Sequence, residues 1–81
     1  MPNIENTLLD MLSKFVGRDI ALDADTDFVS GLGLESIQVM EFVMEVEEKF
    51  DIAIDLDTLS NVRSVRGLAA VVEKIRAGAQ S

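Results

Sequence analysis

The stretch from Ser36 to Phe50 constrains this chain more than any other. Val39, Phe42, Val43, Val46 and Phe50 recur there at three- and four-residue spacing, the period of an α-helix with one buried face. Ile37, Met40 and Met44 lie to one side of that stripe, and glutamates cover the rest. The spacing predicts a helix over 36–50.

The same period recurs on either side. Asn3 can cap a helix over 3–16, whose stripe is Ile4, Leu8, Met11, Leu12 and Phe15, and Gly17 supplies its stop. Ser64 can cap a last helix over 65–76, with Val65, Leu68, Ala69, Val72 and Ile75 facing inward. Arg76 suits its C-terminal end, while Gly67 weakens its first turn. A short helix is expected over 57–61. Residues 17–35 read as a long loop, rich in Asp and punctuated by Gly31 and Gly33, with Ile20, Leu22, Phe28, Val29 and Leu32 as apolar anchors. Loops of this length are uncommon in compact domains and are usually functional. The alternation from Asp51 to Asp55 resembles a strand, but one short strand without a partner makes no sheet. The expected fold is all-α, a small four-helix bundle of three main helices and one short one. A single domain is expected over 1–81.

Composition narrows the chemistry. There is no cysteine, which excludes disulfides, thiol catalysis and a Cys-based metal site. There is no histidine either, so the commonest general base is missing. Apolar content of 48% is too high for a disordered acidic chain. No apolar run approaches the roughly 20 residues that span a bilayer, and the N-terminus lacks a basic start followed by an apolar stretch. A cytoplasmic, monomeric protein with no membrane insertion is expected.

The net charge is −8, and residues 34–57 alone carry −7 of it. That field repels phosphate backbones, so no nucleic-acid partner is expected. It would attract a partner with a basic patch and speed the encounter. The plainer alternative is a solvated helix face that keeps the protein dissolved.

Three constellations of residues could carry chemistry. Asp23, Asp25 and Asp27 have the spacing of the first ligands in a calcium-binding EF-hand loop. That loop needs Gly at its sixth position and Glu at its twelfth, where this chain has Phe28 and Leu34, so no metal site is expected. A catalytic reading would make Ser36 a nucleophile, but only Lys14, Lys49 and Lys74 could serve as a base, and only through unusual burial. No enzymatic activity is expected. The third constellation is Gly33–Leu34–Glu35–Ser36–Ile37. Ser36 reads there as a helix N-cap, without a capping box because Val39 stands three residues on. A serine at an exposed helix start is also a good site for a phosphate-containing modification, because free N–H groups and the helix dipole favour phosphate. Gly33 lets the backbone turn without a side chain in the way.

At this point the chain resembles the acyl carrier proteins. That family is marked by Asp-Ser-Leu after a short Leu-Gly-containing segment, with the serine opening an acidic second helix. The matching residues run from Phe28 through Leu32, Gly33, Leu34 and Glu35 to Ser36 and Ile37, and Val43 to Phe50 resembles the rest of that helix. Ile54, Val62 and Val65 fall where the family has apolar residues, and the similarity extends from Ile4 to Ile75 without an evident gap.

The resemblance implies that a phosphopantetheinyl transferase moves 4′-phosphopantetheine from coenzyme A onto Ser36. The arm's thiol would then carry a cargo as a thioester, which accounts for thioester chemistry in a chain without cysteine. It further implies that Glu35 helps the transferase dock and places the metal used in transfer. Ile37, Met40 and Met44 would form the apolar part of a partner surface. Glu41, Glu47 and Glu48 would pair with basic patches on acyl-loading and acyl-accepting enzymes. Phe28, Val43, Val46, Ile54, Leu59, Val62 and Leu68 would shelter an acyl chain.

Three residues depart from the family pattern. Glu35 replaces Asp, Ile37 replaces Leu, and Asp55 stands where many relatives have Pro, which is expected to loosen the start of the short helix. The stretch from Phe42 to Glu47 resembles dedicated bacterial carriers, including ones serving lipid or sphingolipid assembly. The expectation is a carrier for fatty-acid or specialised lipid biosynthesis. The alternatives are an aminoacyl or polyketide-type carrier, or an unmodified acidic interaction module.

Overall fold

The computed structural model describes residues 3–17 and 23–78. Four helices occupy them: α1 (Ile4–Val16), α2 (Ser36–Phe50), α3 (Leu56–Leu59) and α4 (Val65–Gly78). There is no strand among the described residues, and Ile52 to Asp55 are irregular chain. No helix there is long and apolar enough to cross a membrane. The loop anchors Ile20 and Leu22 lie outside the described residues.

Each helix begins where a side chain or carbonyl accepts its first free N–H. Asn3 Oδ1 accepts from Asn6 N at 3.3 Å, and Gly17, at φ 74°, closes α1 by donating to Ser13 O. Ser64 Oγ accepts from Gly67 N at 3.3 Å, so a cap offsets the weak first turn of α4. Two boundaries differ from the sequence expectation. The short helix covers Leu56–Leu59 rather than 57–61, and the last helix continues past residue 76 to Gly78. The first difference comes from Asp55, whose Oδ1 accepts from Thr58 N at 2.7 Å. Asp55 therefore fixes the start of α3, where its substitution for Pro was expected to loosen it. The Thr58 hydroxyl, and next the Thr58 N–H, hold the Asp55 carboxyl below its ordinary value.

The apolar stripes meet in one core. Leu8 and Leu12 of α1, Phe42, Val43 and Val46 of α2, and Val65, Leu68, Ala69 and Val72 of α4 are all buried. Ala24, Phe28 and Leu34 of the long loop join them, with Ile54 and Val62 beside α3. Among the described residues, no charged or polar residue is buried. Phe42 lies at the junction: its ring is 5.6 Å from that of Phe15 and 6.1 Å, edge-on, from that of Phe28. It thereby joins α1, α2 and the loop. Val29 does not anchor the loop as expected, because its neighbour Phe28 takes the inward position and Val29 points to solvent.

Arg66 pins the first part of the loop. Its backbone N–H donates to Ala24 O at 2.8 Å, and its guanidinium bonds both carboxylate oxygens of Asp25. Glu5 of α1 approaches the same guanidinium at 3.6 Å. The bonds to Asp25 hold Arg66 more firmly protonated than usual.

Removing the Phe42 ring should open the core at its busiest contact. Phe42→Ala is expected to cost about 3–5 kcal/mol, a large share of the stability of so small a domain. Urea unfolding followed by circular dichroism checks this. A loss under about 1 kcal/mol, within the range of an ordinary substitution, would remove Phe42 from the centre of the core.

Candidate functional site

The site is built where the loop feeds into α2. Asp27 organises the turn before it: its Oδ1 accepts from Val29 N at 2.8 Å and from Ser30 N at 2.9 Å. The Ser30 N–H, and next the Val29 N–H, hold the Asp27 carboxyl below its ordinary value of 3.8. The Gly31 and Leu32 N–H groups both donate to Asp27 O. A side-chain carbon on Gly31 would sit 2.7 Å from that oxygen, so the tight turn requires glycine. Gly33 has φ 75° with open space around it, which turns the chain outward just before the helix.

One backbone bond ties the loop to the segment before α4, and a second closes the loop on itself next to α2. Phe28 N donates to Arg63 O at 2.7 Å, and Leu34 N donates to Phe28 O at 3.0 Å. Residues before α2 and residues before α4 are thus held side by side.

Helix α2 starts at Ser36 as the spacing predicts, but its N-cap differs from the expectation. Glu35, not Ser36, is the N-cap, and Ser36 is the first helical residue. Gln38 Oε1 accepts from Glu35 N at 2.8 Å. This is the return half of a capping box, which the sequence reading placed at Val39 and found missing. The shift has a consequence for Ser36. Its hydroxyl is exposed and takes no part in capping, so it is available for chemistry. Glu35 puts a carboxylate beside the positive end of the helix dipole.

Ser36 opens onto a groove of about 440 Å³, lined also by Asp27, Phe28, Val29, Ser30, Val39, Ser60, Val62 and Arg63. An adjoining lobe of about 300 Å³ shares Val29, Ser36, Val39, Ser60 and Val62, and adds Met40, Leu56 and Leu59. The exposed Ser36 hydroxyl thus lies beside a groove whose lining mixes polar and apolar side chains.

The predicted partner residues separate into groups. Ile37, Met40 and Met44 are 61%, 46% and 59% exposed, and Val29 and Leu56 are 54% and 71% exposed. The methionines therefore do not fill the core. Glu35, Glu41 and Glu48 are also exposed. Glu47 stands apart, because it is half-buried and its Oε2 accepts from Ile54 N at 2.7 Å. Its carboxylate ties the end of α2 to the segment before α3.

The predicted acyl-chain residues separate too. Phe28, Leu59 and Val62 line the groove at Ser36. Val43, Val46 and Leu68 lie behind it in the closed core. Ile54 borders a different groove, shared with Ala53, Val71 and Ile75. The sequence reading missed Leu56, Ser60 and Arg63, which lie far along the chain and reach Ser36 only through the fold. Asp23, Asp25 and Asp27 do not converge: Asp23 Oδ1 accepts from Asp25 N, Asp25 pairs with Arg66, and Asp27 holds its own turn.

Comparison with known proteins agrees with this arrangement. Residues 6–72 match the family described as "Phosphopantetheine attachment site". The acyl carrier protein of Exiguobacterium sibiricum is 39% identical over 73 residues, covering 85% of this chain and 92% of that one. The acyl carrier protein of the onion yellows phytoplasma is 33% identical over 72 residues, covering 83% and 95%. A solved chain from Mycobacterium tuberculosis, provisionally described as an acyl carrier protein, shares the fold. Its TM-score is 0.81 at 24% identity, over 88% of this chain and 96% of that one. This chain belongs to the acyl carrier protein family, whose members are carriers rather than enzymes and bear a covalent 4′-phosphopantetheine. They work with a phosphopantetheinyl transferase and with acyl-handling enzymes.

The turn at Asp27 makes a pH prediction. A carboxyl with a lowered folded value stabilises the fold above its unfolded value, and that contribution is lost as pH falls through the folded one. Asp27→Ala should therefore melt below the wild type at pH 7, and the gap should narrow below about pH 4. Thermal melts across that range check it. A gap that stays constant down to pH 2 would show that ionised Asp27 does not hold the turn.

Proposed function

We infer that Ser36 is the attachment point of the 4′-phosphopantetheine arm, and that the chain carries acyl intermediates for fatty-acid or specialised lipid biosynthesis. The observation that carries this reading is the exposed, uncapping Ser36 hydroxyl at the mouth of a groove. When bound, the arm supplies the thiol that holds the cargo as a thioester. The chain's own residues do the rest. Glu35 and Gln38 fix the helix start, Gly33 keeps the approach open, and the groove offers a place beside the attachment point. Val29, Val39, Met40, Leu56, Leu59 and Val62 give it an apolar wall. That wall supports an acyl cargo over an aminoacyl one, whose ammonium group would be poorly placed against it. Fuller sheltering would require Val43, Val46 and Leu68 to part.

The partner surface combines Ile37, Met40 and Met44 with Glu35, Glu41 and Glu48. Met adapts to differently shaped partners, and the surrounding carboxylates steer basic ones. Glu47 contributes to this surface mainly by holding Ile54 and the segment before α3. Coenzyme A, as donor of the arm, goes with a cytoplasmic setting.

Incubation with coenzyme A and a broad-specificity transferase should raise the intact mass by one phosphopantetheine group, and Ser36→Ala should abolish the gain. An unshifted wild type would leave the unmodified interaction module as the better reading. Reversing two exposed charges, Glu41→Lys with Glu48→Lys, should slow modification or cargo loading by roughly tenfold at low salt. High salt should slow the wild type likewise. Equal rates for the two proteins would return these glutamates to simple solvation.

A further inference from the structure

The groove at Ser36 contains a feature that the attachment reading does not use. Of the residues lining its larger lobe, Arg63 alone is cationic. Its surroundings are acidic: the chain carries −8 overall, and Glu35 adjoins Ser36. A phosphodiester on Ser36 adds one more negative charge there.

The other polar groups of the groove are already committed. Asp27 faces Arg63 electrostatically, but its Oδ1 is bonded to the Val29 and Ser30 N–H groups. The Ser30 hydroxyl bonds Asp27, and Ser60 Oγ donates to Asp57 O at 2.8 Å. Arg63 forms no salt bridge within 4.0 Å among the described residues, unlike Arg66, which is paired with Asp25 and Glu5. Its exposed guanidinium therefore keeps a planar set of donors, the geometry that suits phosphate oxygens. Its backbone is not loose. Arg63 O accepts from Phe28 N at 2.7 Å, and Phe28 O accepts from Leu34 N. The same two bonds hold Arg63 and the start of α2 against one groove.

We propose that the Arg63 guanidinium binds the phosphodiester of the arm on Ser36 and so sets the direction in which the arm leaves the protein. This rests on the attachment reading above. Arg63 is a positioning residue, acting on the fixed end of the arm and not on the thioester. Tethering supplies the affinity: the phosphate is held at high effective concentration, whereas an exposed arginine alone holds free phosphate weakly.

The test uses intact protein with and without the arm. Mass spectrometry first establishes modification of wild type, Arg63→Gln and Arg63→Lys. Phosphorus NMR of the modified proteins then reads the phosphodiester, and nitrogen–proton spectra read the Arg63 side chain. In the wild type, attachment should move the Arg63 Nε–H resonance. Inorganic phosphate added to the unmodified protein at equal concentration should not. The phosphorus signal should move by more than its line width in Arg63→Gln, recover in part in Arg63→Lys, and lose its dependence on Arg63 at high salt. An unmodified wild type would remove the attachment reading and this inference with it. A modified protein whose phosphorus signal is the same with Arg63 and with Gln would overturn this inference alone. So would an equal response to free phosphate, which would make Arg63 a nonspecific anion contact.

Discussion

The contact of Phe28 with Phe42 is the constraint on which the working end of the molecule depends. Phe42 belongs to the helix that Ser36 opens, and Phe28 belongs to the loop that leads into it. Their edge-on packing commits the loop to one path over the core. Once the Phe28 ring is buried, its N–H and carbonyl have to find partners away from water. They find Arg63 O and Leu34 N. A single buried aromatic residue thus sets the height of the α2 start, the position of the segment before α4, and the groove between them.

The loop keeps its shape through carboxylates. Asp27 and Asp55 each accept backbone N–H groups, one in the turn before α2 and the other at the start of α3. Glu47 does the same across the α2–α3 connection. In a chain this acidic, several negative charges are therefore structural, satisfying donors that short helices and turns leave free. The remaining acids on α2, including Glu41, Glu45 and Glu48, are exposed. Residue type alone does not separate the two uses. Glu47 and Glu48 are neighbours in sequence and face different tasks.

Much of this was legible in the sequence. The three long helices announce themselves by apolar period, and Asn3, Gly17 and Ser64 mark ends that the structure uses in that way. The failures are local. Serine is a better N-cap than glutamate by preference, so Ser36 took that role on paper. The pair Glu35 and Gln38 carries the capping box one residue before the register that Ser36 and Val39 suggest. Asp55 was read by its departure from Pro rather than as an N-cap, which moved α3 along by a residue. Val29 and Phe28 are equally apolar, and only packing decides which one turns inward. Arg63 had no signal at all, because nothing in its own neighbourhood points to Ser36 until Phe28 bridges them.

The apolar residues left outside are the remaining physical puzzle. Val29, Ile37, Met40, Met44 and Leu56 are all substantially exposed, and in so small a chain such surface promotes self-association. The acidic helix answers this on its own terms. The exposed carboxylates of α2 sit among these residues, so two copies brought face to face would meet like charges at close range, which disfavours the pairing. A partner with a basic rim would meet the same surface with attraction and then gain the apolar contact. On the proposed reading, the combination would admit brief visits by oppositely charged proteins while discouraging its own kind. A carrier that has to release each partner in turn would need that balance, and two of these exposed residues, Met40 and Leu56, line the groove at Ser36.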